Sequence, residues 1–187
     1  MHKRVRHALA ATMAAAALAL SCWGVGSPAA AYAEATNVAL NKKVTVSQAP
    51  YDTLPATALV DGDHATRWSA EAKPTQWAYV DLGATTEVSQ VKLWWESNTE
   101  YATDFNIYVS DSTTDWGKPA KAVTGAKGAT SEVTLDKPVS GRYVKLEVTK
   151  VSSYPSVSCG EMEVWNEVPP SPTSSRRTIS TTSRSTP

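Results

Sequence analysis

A chain of 187 residues with 18 Lys plus Arg against 18 Asp plus Glu carries no formal net charge, yet its charges are segregated. Lys3, Arg4 and Arg6 stand in residues 1–33, and Arg176, Arg177 and Arg184 in residues 169–187; neither stretch has an acid, so residues 34–168 hold all eighteen acids against twelve bases, net minus six. An acidic body without clustered Lys or Arg argues against nucleic acid and an anionic membrane surface as partners, and leaves metal ions and neutral sugars open.

The chain opens with a basic stub, MHKRVRH, and continues with ALAATMAAAALAL, an apolar run too short to span a bilayer. SPAAAYA then offers a small-residue cleavage site at Ala31 and Ala33, so residues 1–33 read as a secretory signal. The mature chain is then expected to be secreted, free or held at the cell surface. A short membrane anchor and lipid attachment at Cys22 in LALSC are the alternatives. With the leader removed, only Cys159 remains, which excludes an internal disulfide. A lone Cys between apolar strand residues reads as a small buried hydrophobe.

Residues 34–168 are enough for one compact domain. Its dominant signal is alternation at period two: Val91, Leu93 and Trp95 against Lys92 and Trp94; Phe105, Ile107 and Val109 against Asn106 and Tyr108; Val144, Leu146 and Val148 against Tyr143, Lys145 and Glu147; then Met162 and Val164. Turn signals fall between these runs at APYDTLP (49–55), VDGD (60–63), Asp81 to Gly83, TGAKG (124–128) and DKPVSG (136–141). Short one-sided strands with Gly or Pro turns predict an all-β, antiparallel β-sandwich. Beyond it, PPSPTSSRRTISTTSRSTP (169–187) is too poor in apolar residues to fold alone and reads as a disordered linker or tail.

Two segments far apart in sequence stand out, DGDHATRW (61–68) and CGEMEVWN (159–166). Asp61, Thr66 and Glu161 supply side-chain oxygens among turn residues whose carbonyls also point inward, which suits a hard cation such as calcium. The competing reading is a plain Asx turn at Asp61 and Asp63. His64, the one His outside the leader, reads as a surface group. Of the Trp residues, Trp68, Trp77, Trp95 and Trp165 are expected to fill the core or its ends, and Trp94 to face outward.

Sugars are recognised by aromatic rings stacking on C–H faces while planar polar groups take the hydroxyls. Three loops have that composition: SQAPYDTLP with Tyr51 and Asp52, ESNTEYATD with Glu96, Asn98 and Tyr101, and SSYPSVS with Tyr154 and Ser156. Ordinary solvated loop roles are the alternative for each residue.

ALVDGD with its Thr-x-Trp, QWAYVDLG (76–83), VKLWWE (91–96), DFNIYVSDS (104–112), GRYVKLEV (141–148) and the closing GEMEVWN together resemble the coagulation factor 5/8 type C, or discoidin, domain from about Asn37 to Glu167. Within it they resemble the bacterial family 32 carbohydrate-binding modules. The resemblance implies a jelly-roll-like sandwich and a structural calcium ion held by carbonyl oxygens of Ala58, Asp63 and Gly160, the carbonyl and hydroxyl of Thr66, and the carboxylates of Asp61 and Glu161. It also implies that the three loops converge on a glycan at one end, though this chain has extra residues between Glu96 and Tyr101.

The expected function is thus a non-catalytic, monomeric carbohydrate-binding module, a fragment of or accessory to a glycoside hydrolase, with a covalently linked catalytic domain in a longer chain. Adhesion to cell-surface protein or phospholipid is the alternative. One His and one Cys outside the leader cannot assemble a Cys/His zinc site, and a Ser-His-Asp triad would have to use His64. Paired carboxylates of a glycosidase are the remaining catalytic alternative.

Overall fold

The computed structural model describes residues 35–48, 51–71, 73 and 75–168. The expected signal peptide (1–33) and the expected tail (169–187) lie outside the described residues. The elements are β1 (Lys43–Val46), a 3-10 helix (Ala56–Leu59), β2 (Trp68–Glu71), β3 (Gln76–Trp95), β4 (Ala102–Ser110), β5 (Lys121–Val123), β6 (Thr130–Val151) and β7 (Ser156–Trp165). All strand pairs are antiparallel, in the order β2-β7-β3-β6-β4-β5 with β1 also on β3.

The architecture follows from the two long strands. β3 and β6 pair in three stretches, Gln76–Asp81 on Tyr143–Val148, Thr86–Val88 on Val139–Gly141 and Gln90–Trp94 on Thr130–Thr134, with register breaks between Asp81 and Thr86 and between Val88 and Gln90. The first half is flanked by β1 on one side and by β4 and β5 on the other; the second is flanked by β7 and then β2. Each half therefore belongs to a different layer of a β-sandwich, and the apolar faces meet in one core.

The phase of the alternation records the crossing. Ala78, Val80 and Leu82 point inward at even positions, whereas Val91, Leu93 and Trp95 do so at odd ones, and the intervening irregularity absorbs the change. The expected inward rows of β6 and β7 hold and that of β4 holds for two of its three residues: Phe105, Ile107, Val144, Leu146, Val148, Met162 and Val164 are all at most 3% exposed, while Val109 at the end of β4 is only partly buried.

Two expected turns are not turns between strands. Asp81–Gly83 lies inside β3 and DKPVSG inside β6. A strand leaving one layer for the other must bend, and a bend recruits the same Gly, Pro and Asp as a hairpin. Gly83 takes φ 90°, and its amide donates to Asp81 Oδ1 at 2.9 Å.

The Trp residues divide differently from expectation. Trp68 and Trp95 are buried in the core, but Trp77 and Trp165 are only half-buried, because Gln76 and Ala78, and likewise Val164, take the inward positions beside them. Trp77 stacks on Tyr79 with ring centroids 5.7 Å apart, and Trp165 donates its indole N–H to Glu163 Oε2 at 3.0 Å. Trp116 brings the loop after β4 over the same outer face, near Tyr79 and Tyr108.

Candidate functional site

The loop between the 3-10 helix and β2 is knotted by its own polar groups. Asp61 Oδ1 accepts the Asp63 amide and Asp63 Oδ1 the Ala65 amide, both at 2.9 Å. The Thr66 hydroxyl lies 2.7 Å from Asp61 Oδ2 and 3.0 Å from the Asp63 carbonyl oxygen. The Asx-turn geometry is therefore present, and it does not account for what sits opposite.

Glu161 on β7 occupies an outward position of its strand yet is 1% exposed. Its Oε2 accepts the Gly62 amide at 3.1 Å, while the buried Oε1 has no partner. Burial pushes its carboxyl up to about 7, against the pull of the Gly62 amide and with help from the charges of Asp61, Glu163 and Asp63. Gly160 beside it sits close to the loop: a Cβ there would press on the Thr66 carbonyl oxygen at 3.1 Å and touch those of His64 at 3.4 Å and Trp94 at 3.5 Å. Ala58 is buried in the 3-10 helix, which packs against β7. Among the described residues no three His, Cys, Asp or Glu side chains converge. The donors gathered here are two carboxylates, a hydroxyl and backbone carbonyls, an all-oxygen set of the kind calcium takes, and the orphaned Glu161 Oε1 is the atom such an ion would satisfy.

His64 turns away from this set. Its ring stacks on Trp94 at 4.0 Å and its Nε2 lies 3.5 Å from Glu163, so it is packed on the outer face and not merely solvated. Cys159 is fully buried as expected; burial pushes its thiol up, and its S–H donates to the Glu161 carbonyl.

The strand registers bring four connections to one end of the molecule. Ser47, after β1, donates its amide to the Trp77 carbonyl at 2.8 Å; Glu71 at the end of β2 faces Ser156 at the start of β7; and Val151 at the end of β6 faces Ala102 at the start of β4. Of these connections, residues 47–48, 51–55, 73, 75, 96–101 and 152–155 are described, and they share that end. The sequence candidates differ in what they do there. Tyr51 is 53% exposed and Tyr154 52%, the two aromatics among the exposed large hydrophobic residues of the described part, and Asp52 is exposed beside Tyr51. Glu96 is paired with Arg67 at 3.1 Å. Asn98 ties its loop to the connection before β6, its Oδ1 accepting the Ala129 amide at 3.0 Å. Tyr101 is half-buried against the core with its backbone tied to Ser152, and Ser156 donates its hydroxyl to Glu100.

Sequence reasoning missed the row that backs these loops. Arg67, Ser69 and Glu71 alternate with the buried Trp68 and Ala70, so they face outward together, opposite Ser156 and Ser158 across the β2–β7 ladder. Arg67 Nε and Ser158 Oγ are buried without partners. The alternation R-W-S-A-E was a readable signal, hidden because the segment DGDHATRW was read for its oxygen donors.

The F5/8 type C domain model matches residues 42–162. A chitosan-binding module 2 in complex with chitotriose, from a chitosanase/glucanase of Paenibacillus sp. IK-5, is 34% identical; the alignment covers 68% of this chain and 98% of that one with a TM-score of 0.61. A family 32 carbohydrate-binding module of AlyQ in complex with 4,5-unsaturated mannuronic acid is 23% identical over 67% of this chain and 95% of that one, with a TM-score of 0.56, and shares the fold. Polysaccharide lyase 8 family protein HylA of Enterococcus faecalis is 27% identical over 145 residues, 72% of this chain; the chain spans 10% of that lyase's length. Together with the sandwich, its two crossing strands and the loop end, these matches establish that the chain belongs to the F5/8 type C domain family.

Proposed function

We propose that this chain is a secreted, non-catalytic carbohydrate-binding module: its loop end takes a glycan, and a calcium ion held by Ala58, Asp61, Asp63, Thr66, Gly160 and Glu161 braces the sandwich. The observation that carries the glycan reading is the pair of half-exposed rings, Tyr51 and Tyr154, on two loops of one end, where stacking on sugar C–H faces is available and polar neighbours can take hydroxyls. The 34% identical chitosan-binding module supports oligosaccharide as the ligand class. The short match within a much longer polysaccharide lyase supports a role as an accessory unit, in which weak binding raises the local concentration of an attached enzyme at its substrate. When bound, the calcium would supply the charge that Glu161 lacks and tie the 61–66 loop to β7. Export would follow from the leader read in residues 1–33.

The test is a glycan array probed with the purified chain and with Tyr51→Ala and Tyr154→Ala. Binding by the chain and loss in both variants supports the reading; a chain that binds no glycan, or binds identically after both substitutions, overturns it. Incubation with chromogenic glycosides checks the non-catalytic part. Turnover abolished by Glu96→Gln would make the protein an enzyme.

A further inference from the structure

Besides the exposed Asp52, the carboxylates of Glu71, Glu96 and Glu100 stand at the loop end, and these three are not equivalent. Glu71 is paired with Lys73 and Glu96 with Arg67. Glu100 receives the Ser156 hydroxyl on Oε1, and among the described residues no Lys or Arg pairs with it. Its position is fixed on both sides. Ser97 Oγ accepts the amides of Thr99 at 3.2 Å and Glu100 at 3.1 Å, while Ser152 Oγ donates to the Thr99 carbonyl at 2.6 Å and accepts the Tyr101 amide at 3.3 Å. Next along the outward row from Ser156 is Ser158, 1% exposed, whose Oγ has no partner. Tyr154, half-exposed, lies two residues before Ser156. An uncompensated carboxylate on a braced loop is thus held at the start of β7, whose Ser156 lies two residues from the open ring of Tyr154 on one side and from the unpaired Ser158 hydroxyl on the other.

We infer that Glu100 reads a free amino group, so that the loop end prefers oligosaccharides of a 2-amino sugar in its ammonium form over their N-acetylated counterparts. The inference rests on the glycan-binding reading above and specifies the ligand within it. An ammonium carries three donors and no acceptor. A carboxylate that already holds one hydroxyl keeps acceptor capacity for it, and the charge-assisted bond is about twice as strong as a neutral one. Glu71 and Glu96 already have cations, so a ligand ammonium would have to displace one; at Glu100 the ligand supplies the cation that the protein omits. An acetamide at the same place brings no charge. The braced loop also means that little ordering entropy is lost on binding.

Calorimetric titration of the purified chain with a glucosamine trimer and an N-acetylglucosamine trimer tests this. The expected result is a preference for the glucosamine trimer of about tenfold, shrinking as salt is raised. Glu100→Gln, with an unchanged thermal melt, weakens the glucosamine trimer to the level of the acetylated one and leaves the latter as it was; Glu100→Asp recovers part of the preference. Tyr154→Ala weakens both trimers. Equal affinities in the native chain, or a preference that survives Glu100→Gln, overturns the inference. If neither trimer binds while another sugar does, the amino-sugar inference falls and the glycan reading stands; if no glycan binds, both fall.

Discussion

Gly62 donates its amide to Glu161 Oε2 at 3.1 Å across 99 positions of sequence, and the second oxygen of that buried carboxylate has no partner. One hydrogen bond does not repay the burial of a charge, and burial pushes the Glu161 carboxyl up to about 7. A calcium ion binding the folded state alone would stabilise it by mass action, about 2.7 kcal/mol at a free concentration a hundred times Kd. Calcium added after chelation is therefore expected to raise the melting temperature by several degrees, and Glu161→Gln to remove that response while matching or exceeding the native chain in chelator. A melt indifferent to calcium in the native chain would dismiss the brace.

The two exposed tyrosines make a second prediction. Truncating Tyr51 or Tyr154 to Ala removes a stacking surface without touching the core, so glycan affinity falls by about 1–2 kcal/mol, roughly tenfold, from lost apolar contact. The melting temperature stays within a degree or two, since surface substitutions are near neutral. Titration and thermal melts on the same samples separate the two effects; a large drop in stability would assign the rings to the fold.

How much of this was legible in the sequence depends on range. The inward rows through Leu93, Phe105, Leu146 and Met162 were readable because period-two alternation is local. The path of β3 and β6 from one layer to the other was not: Asp81–Gly83 and DKPVSG carry the residues of a turn, and only the pairing of distant strands shows that the chain continues through them. Asp61 and Thr66 in the 61–66 loop and Glu161 on β7 were legible as oxygen donors through residue type and resemblance. Glu100, Arg67 and Glu71 were missed because their roles depend on neighbours from other strands, Ser156 above all.

Gly141 tests the crossing. A Cβ there would lie 2.7 Å from the Ser110 backbone nitrogen and 2.8 Å from Val109 Cγ1, and backbone cannot yield as a side-chain tip can. Gly141→Ala should destabilise the fold by about 1–3 kcal/mol, the usual cost of overpacking, measured by denaturant unfolding. A neutral result would mean that β4 and β6 approach each other less closely than described.

Acid titration probes the Asp81–Arg142 pair. Arg142 donates to both carboxylate oxygens, Nε to Oδ1 at 2.7 Å and an Nη to Oδ2 at 2.9 Å. That bond, with the Gly83 amide, holds Asp81 below the usual carboxylate range despite some desolvation. A depressed folded-state pKa means stability that is present above the unfolded value and lost as pH falls through the folded one. Asp81→Asn should therefore melt lower than the native chain at neutral pH, with the gap closing as the solution is acidified below pH 4. Because the pair is partly solvated, salt should narrow the gap as well.

Lys145 offers the strongest test of the outer face. It is 9% exposed although it points away from the core; its Nζ lies 2.8 Å from Glu147 Oε1 and 5.2–5.7 Å from the ring centroids of Tyr108, Trp116 and Trp77. Glu147 Oε2 accepts the Tyr108 hydroxyl at 3.0 Å. Burial alone would raise the Glu147 carboxyl, but donation from Lys145 and Tyr108 overcomes it and the net shift is downward. Lys145→Met keeps the length of the side chain and leaves Glu147 half-buried without its cation, which should cost about 1–3 kcal/mol. Without that cation, burial is opposed only by the Tyr108 and Asn106 bonds and the Glu147 pKa rises from its depressed native position, so the deficit of the variant is expected to be largest at neutral pH and to shrink as the acid protonates. Adding Glu147→Leu to Lys145→Met removes the stranded charge and should recover most of the loss. Unfolding measured across pH for both variants separates the cases: a single variant as stable as the native chain would mean that the aromatic rings, and not the ion pair, hold the Trp116 loop on the sheet.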